Sequence, residues 1–274
     1  MKVEFTRIAW RNQVVQIEHA WIAPERSTAP LVVFLHEGLG SLAMWKDFPQ
    51  HLCDAIQCRG LVYSRPGYGQ STPRATGEVW APDFLHQQAY EVLPALFKAL
   101  MIDTVADPII LVGHSDGATI ALLFAARCAS SVWAAAVLAP HIFVEKCTLA
   151  SIESAHLAYR ETDLRSRLAR YHADPDSAFW GWNTAWLNPA FKCWTIEGEI
   201  AAITCPLLAV QGVDDEYGTL AQIHRIAQQL PQTRLLELAQ CGHSPHRDQP
   251  EQLIAAISQF LQPLVVHPNQ GAPP

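Results

Sequence analysis

Ser115 stands at the centre of Gly113-His114-Ser115-Asp116-Gly117, directly after the apolar run Pro108-Ile109-Ile110-Leu111-Val112 and directly before the small-residue helical pattern Ala118-Thr119-Ile120-Ala121-Leu122-Leu123. A buried strand that turns sharply into a helix holds the residue at its apex in a strained conformation, and the flanking glycines leave room for the turn. The serine hydroxyl is thereby pushed out of the sheet, where it can attack a carbonyl. A hydroxyl at its free pKa is a poor nucleophile until a base takes its proton, so the chain must also supply a histidine and an acid to hold it. Both follow. After the apolar run 206–211 comes Gly212-Val213-Asp214-Asp215-Glu216, and after the strand-like run 234–238 comes Cys241-Gly242-His243-Ser244-Pro245-His246. Asp214 and Asp215 are the two candidate acids and His243 the candidate base. The developing negative charge on the substrate needs donors fixed in advance, and the backbone N–H of Asp116, at the start of the following helix, is one.

The order serine, acid, histidine is that of α/β-hydrolases rather than of chymotrypsin or subtilisin. From about residue 31 to residue 261 the chain resembles the esterase, C–C-bond hydrolase and lipase-like group of that family. Four motifs carry the resemblance. His36-Glu37-Gly38-Leu39-Gly40 is similar to the His-Gly-x-x-Gly oxyanion loop, and Ser64-Arg65-Pro66-Gly67-Tyr68-Gly69-Gln70-Ser71 to the Asp-x-x-Gly-x-Gly-x-Ser turn. The turn around Ser115 is the third, and Gly242-His243 with Asp248 and Pro250 the fourth. Glu37 replaces the usual glycine after the histidine, and Ser64 the usual aspartate before the glycine turn.

The resemblance implies a mainly parallel central sheet with helices on both faces and a helical cap inserted over the site. It also implies roles. Ser115 is the nucleophile, His243 the base and Asp215 the acid, because the family's acid lies three positions after the strand-ending glycine, here Gly212. Gly38 supplies the second oxyanion N–H beside that of Asp116, and the side chain of His114 is structural. Glu37 is expected to turn away from the oxyanion site. A serine at position 115 disfavours the relatives that use an aspartate nucleophile, the haloalkane dehalogenases and epoxide hydrolases. The expected reaction is hydrolysis of a small or medium carboxylic ester through an acyl-enzyme. Thioester, amide or C–C bond hydrolysis, or a ligand-binding protein that keeps the triad, are the alternatives that fold and triad do not separate.

The elements that must position these residues follow from periodicity. Strand-like stretches at 14–21, 31–35, 61–63, 109–112, 134–138, 207–210 and 235–238 alternate with helical patterns, which predicts a parallel sheet covered on both faces. Helices are expected at 87–100, kinked by Pro94, and at 251–260. Between Pro140 and Pro206 lie roughly 60 residues with no clear strand, too many for a simple loop in a compact domain. The division expected is a core of 1–140 and 201–265, an insertion at 141–200, and a mobile tail at 266–274. The insertion carries Trp180, Trp182, Trp186 and Trp194, and these rings are the candidate walls of an apolar pocket.

With 274 residues, half of them hydrophobic, the chain can bury a large single core. A net charge of -7 without a Lys/Arg cluster argues against nucleic acid or an anionic membrane as partner and leaves a small-molecule substrate. The start Met1-Lys2-Val3-Glu4-Phe5 has no secretory apolar segment and no run reaches the ~18 residues of a membrane span, so a cytoplasmic location is expected. Seven cysteines without a C-x-x-C pair read as free thiols. His243 and His246 lack companion ligands for zinc, and neither metal nor cofactor is expected. His246 is expected to be a hydrogen-bonding loop residue. Oligomeric state leaves no mark in the sequence.

Overall fold

In the computed structural model, which describes residues 1–266, eight strands form one sheet in the order β1-β2-β4-β3-β5-β6-β7-β8. They are β1 (Val3–Trp10), β2 (Gln13–Ile22), β3 (Leu31–Leu35), β4 (Arg59–Tyr63), β5 (Ile109–His114), β6 (Val132–Leu138), β7 (Leu207–Gly212) and β8 (Thr233–Leu238). Strands β1, β2 and β4 pair antiparallel, and every pairing from β4 to β8 is parallel. Strands β3, β5 and β7 are buried along their whole length, which is why they read as continuous apolar runs rather than as alternations.

The helices are α1 (Phe48–Ile56), α2 (Phe84–Gln87), α3 (Leu93–Ala99), α4 (Asp116–Arg127), α5 (Lys146–Glu161), α6 (Leu164–Leu168), α7 (Pro175–Trp186), α8 (Glu197–Ile200), α9 (Ala221–Gln229), α10 (Pro245–Asp248) and α11 (Pro250–Val266). Successive strand residues face opposite layers. Val33 and Leu35 join one core with Leu93 of α3 and Ile120 of α4, whereas Val32 and Phe34 join a second core with Leu52 of α1 and Ile257 of α11. No helix among the described residues is long and apolar enough to cross a membrane.

Two features differ from expectation. Strand β1 is absent from the periodicity reading because it is an edge strand with one fully buried residue, Ile8, so it lacks an apolar face. The helix expected at 87–100 starts at Phe84 and contains a π-helical turn at Gln88–Val92, two residues before Pro94. Proline has no N–H to donate and its ring crowds the preceding turn, and a widened turn accommodates both. The tail expected at 266–274 lies outside the described residues apart from Val266, which closes α11.

Between β6 and β7 the chain builds α5 to α8. Asp174 caps α7 by accepting a hydrogen bond from the Ser177 N–H at 2.9 Å, and Pro175 occupies the first turn, where its missing N–H costs nothing. This segment is tied to the loop after β4: the Gly69 N–H donates to His172 Nδ1 at 2.9 Å, and Ser177 Oγ accepts from the Arg74 N–H at 2.6 Å. Because the strands from β4 to β8 are parallel, their carboxyl ends lie on one side of the sheet. The His36–Gly40 loop, Ser115, Asp215 and His243 all follow such ends.

Candidate active site

Ser115 sits between β5 and α4 with φ 53° and ψ −118°, a positive φ that costs a non-glycine residue about 1–3 kcal/mol. The surrounding packing imposes it. A side chain on Gly113 would strike the backbone of Gly117 and Ala118, and one on Gly117 would strike the carbonyls of Leu35 and His36. The Ser115 N–H donates to Leu138 O at 2.9 Å, anchoring the apex to the neighbouring strand.

The Ser115 hydroxyl donates to His243 Nε2 at 2.9 Å, and His243 Nδ1 lies 2.9 Å from both carboxylate oxygens of Asp215. Asp215 is further held by the backbone N–H groups of Tyr217 and Gly218 and by Gln211 Nε2. Burial favours the protonated acid, but the hydrogen bond and charge of His243 and the Tyr217 N–H outweigh it, so the carboxyl is held below its ordinary range. Asp214 is exposed, and its backbone N–H donates to Cys241 O at 3.0 Å. The loop bearing His243 lies against the end of β7, where a side chain on Gly212 would collide with the Cys241 and Gly242 carbonyls. Asp248 steadies the same loop by accepting from the Gly242 N–H at 2.9 Å. A hydroxyl, an imidazole and a carboxylate in series can move a proton off the hydroxyl as it attacks.

The loop after β3 is held by its carbonyl groups. Glu37 O accepts from His36 Nδ1 at 2.7 Å, from Arg65 Nη2 at 2.8 Å and from the Gly40 N–H at 3.0 Å. His36 Nε2 accepts from the Arg65 N–H at 3.0 Å, which requires a neutral ring; burial and the nearby Arg65 charge hold its pKa well below the ordinary value. Arg65 is fully buried and also faces Asp116 Oδ2 at 3.4 Å, while Asp116 Oδ1 accepts from Trp186 Nε1 at 3.1 Å. Burial raises the Asp116 pKa against the opposing pull of Arg65 and Trp186.

The two departures from the family pattern have local explanations. Ser64 donates to Glu18 Oε2 at 2.6 Å and accepts from the Leu42 N–H at 2.8 Å, and Glu18 also receives the Gln70 N–H at 2.9 Å. A buried carboxylate from β2 thus occupies the region where the family pattern has an aspartate. The Glu37 carboxylate turns toward His114, 3.4 Å from Nδ1, and His114 Nε2 donates to the His243 backbone oxygen at 2.6 Å. Burial opposes ionisation of Glu37, but the hydrogen bond and charge of His114 outweigh it and hold the pKa well below the ordinary value.

A cavity of about 100 Å³ opens beside Ser115, with Gly38, Asp116, Trp182, Trp186 and His243 in its wall. The structure places Trp180 and Trp194 elsewhere, correcting their expected place in the pocket. Trp180 packs edge-on to His156 and Tyr159, and Trp194 stacks on Phe191. The distinction was present in the spacing: residues 182 and 186 are four apart and share a face of α7, whereas 180 lies across the helix. Sequence reading missed His141, Thr148, Ile152 and Tyr217, which also line the cavity. Thr148 and Ile152 are again four apart, on α5. His246, expected to hydrogen bond, instead packs its ring against Trp45 and His114, and neither nitrogen has a partner among the described residues.

No curated protein matches the chain in sequence. Among solved structures, an esterase from Thermogutta terrifontis aligns with TM-score 0.74 at 17% identity over 97% of this chain and 100% of its own. The enol-lactonase from Burkholderia xenovorans LB400 aligns with TM-score 0.71 at 19% identity over 93% and 99% of the two chains. A structure described among epoxide hydrolases from hot-environment metagenomes aligns with TM-score 0.71 at 19% identity over 95% and 99%. These likenesses establish the architecture, and their range of reactions shows that the architecture alone does not select one. A profile of the Alpha/beta hydrolase family matches residues 32–256, and with the sheet order and the strand-end loops described above, this chain belongs to that family.

Proposed function

We propose that this protein is a serine hydrolase that cleaves a short carboxylic ester through an acyl-enzyme, beneath a cap formed by the segment between β6 and β7. The observation that carries the reading is the unbroken hydrogen-bond series from Ser115 Oγ through His243 to Asp215, at 2.9 Å for each link. Ser115 Oγ bonds to the ester carbonyl carbon as its proton passes to His243 Nε2. The resulting oxyanion is held by the N–H groups of Gly38 and Asp116. Support for Gly38 comes from the peptide that joins it to Glu37: a trans peptide points its C=O and N–H in opposite directions, and this C=O is held by Arg65 and His36. Asp116 opens α4, so its N–H has no partner within the helix. Collapse of the intermediate breaks the bond to the alkoxy group, which leaves with the proton from His243. Water then attacks the acyl-enzyme, gives its proton to His243, and releases the acid as the proton returns to Ser115.

The size of the cavity supports a short acyl group. A cavity of about 150 Å³ holds benzene, and this one is about 100 Å³. Mixing the protein with p-nitrophenyl acetate should give a burst of nitrophenol equal to the enzyme concentration, followed by turnover, and a fluorophosphonate should label Ser115. Both should vanish in Ser115→Ala. Normal turnover by that variant, or a wild type that binds esters without releasing nitrophenol, would overturn the reading.

A further inference from the structure

Two adjacent peptides hold the Asp215 carboxylate. The Tyr217 N–H donates to Oδ1 at 2.8 Å and the Gly218 N–H to the same oxygen at 3.3 Å. A trans peptide points its C=O and N–H in opposite directions, so the carbonyls of these two peptides, belonging to Glu216 and Tyr217, face away from the acid. Both meet α5. Ser151 Oγ donates to Glu216 O at 2.7 Å, and Thr148 Oγ1 donates to Tyr217 O. Glu145, the residue before α5, extends the contact by accepting from the Thr219 N–H at 2.9 Å and from the Thr219 hydroxyl at 2.7 Å.

These two α5 hydroxyls are turned outward. A serine or threonine inside a helix commonly bonds back to the carbonyl four residues earlier, as Ser154 of α5 does to Ala150 O at 2.9 Å. Thr148 and Ser151 are three apart, hence on one face of the helix, and serve the loop after β7 instead. A carbonyl that accepts a hydrogen bond leaves its own peptide N–H a stronger donor, because bonds in a series polarise one another. Each hydroxyl therefore fixes and strengthens one of the two N–H groups on the Asp215 carboxylate. Thr148 is 1% exposed, so its bond is made away from bulk water, where such a bond is electrostatically stronger. Thr148 and Tyr217 also line the cavity beside Ser115, and the Tyr217 ring packs on His243 with centroids 4.7 Å apart.

We propose that Thr148 and Ser151 are positioning residues for the triad acid, bracing Asp215 from behind through the two peptides that hold its carboxylate. The proposal rests on the serine hydrolase reading and deepens it: the helix that walls the cavity also keeps the proton relay aligned.

The test is a double-mutant cycle in kcat on p-nitrophenyl acetate. Thr148→Val combined with Ser151→Ala removes both hydroxyls with little change in volume. It should lower kcat by about tenfold, a loss on the scale of a neutral hydrogen bond, with KM within about twofold of wild type. In an Asp215→Ala background the same pair should change kcat by less than about twofold, because no carboxylate is left to position. Thr148→Ser, which keeps the hydroxyl, should recover most of the loss seen in Thr148→Val. An undiminished kcat in the Thr148→Val, Ser151→Ala variant overturns the proposal. So does an equal fall in both backgrounds, which would make the hydroxyls general supports of the fold. Fluorophosphonate labelling separates the two levels of failure. A labelled Ser115 with either of those outcomes removes the brace alone, whereas no labelling and no hydrolysis removes the serine hydrolase reading and the proposal with it.

Discussion

The Arg65 guanidinium lies 2.8 Å from the backbone oxygen of Glu37. The same nitrogen faces Asp116 Oδ2 at 3.4 Å, so one fully buried cation joins the loop after β3 to the first residue of the helix behind Ser115. Both proposed oxyanion donors, Gly38 and Asp116, are thus set by a single side chain that neither lines the cavity nor bonds to Ser115, His243 or Asp215.

Arg65→Met should consequently destabilise the fold by about 3–5 kcal/mol, because it leaves the Asp116 carboxylate buried without its cation. Adding Asp116→Asn should restore much of that loss by removing the stranded charge. Urea denaturation of the single and double variants measures both. Equal stability of Arg65→Met and the double variant would show that the pair is not energetically linked.

Asp215→Asn should lower kcat by about 10⁴, since an amide can no longer hold His243 in the required tautomer or stabilise its charged form. Asp214→Asn should change kcat less than about threefold, a surface substitution of ordinary size. Its carboxylate is exposed, whereas the side chain of Asp215 is fully buried against His243. Steady-state kinetics on p-nitrophenyl acetate distinguishes them, and mild effects at both positions would place the acid elsewhere.

Trp182→Leu should shift the preferred acyl length upward. The indole lies directly over Gly38 in the cavity wall, so trimming it enlarges the space beside the proposed oxyanion donors. The ratio of kcat/KM for p-nitrophenyl hexanoate to that for the acetate should rise by about tenfold, comparable to a few methylenes of apolar contact. Trp180→Leu, on the far side of α7, should leave the ratio unchanged. A parallel rise in both variants would indicate general loosening rather than a cavity wall.

Stability should begin to fall as pH drops through about 6.5, above the carboxylate range. His36, His141, His172 and His246 are all buried and held below the ordinary histidine value, chiefly by burial, with His141 and His246 down to about 3. A depressed folded-state histidine contributes stability in full above its unfolded pKa of about 6.5, and loses it as pH falls, at about 1.4 kcal/mol per pH unit for each ring. Asp215 and Glu37, also depressed, surrender theirs only as pH drops through the acidic range below their unfolded values. Denaturant titrations between pH 4.5 and 7 (about the window in which unfolded histidine protonates) should show this slope, and His246→Phe should reduce it by about one proton. An identical slope in that variant would mean His246 protonates without unfolding the chain.

The elements around the candidate site were legible because each is encoded locally. A buried strand, a tight glycine-flanked turn and a small-residue helix occupy adjacent positions around Ser115, and the acid and histidine loops each follow an apolar strand run of their own. Asp174-Pro175 likewise marks the start of α7 without reference to anything distant. Edge strand β1 and the π turn before Pro94 were not legible, the first because it has almost no buried face and the second because the apolar stripe continues through it.

What only the tertiary structure decided is which side chains from distant segments share one small space. Glu18 of β2 meets Ser64 across 46 residues of chain, His114 meets the His243 carbonyl across 129, and His141 reaches the cavity from the end of β6. Composition could nominate four tryptophans, but rotation of α7 about its axis put Trp182 and Trp186 in the cavity and turned Trp180 away. The physical reason is the range of the interactions: turn strain, capping and periodicity act within a few residues and are written in the sequence, whereas burial and pairing of polar groups depend on what packing brings together.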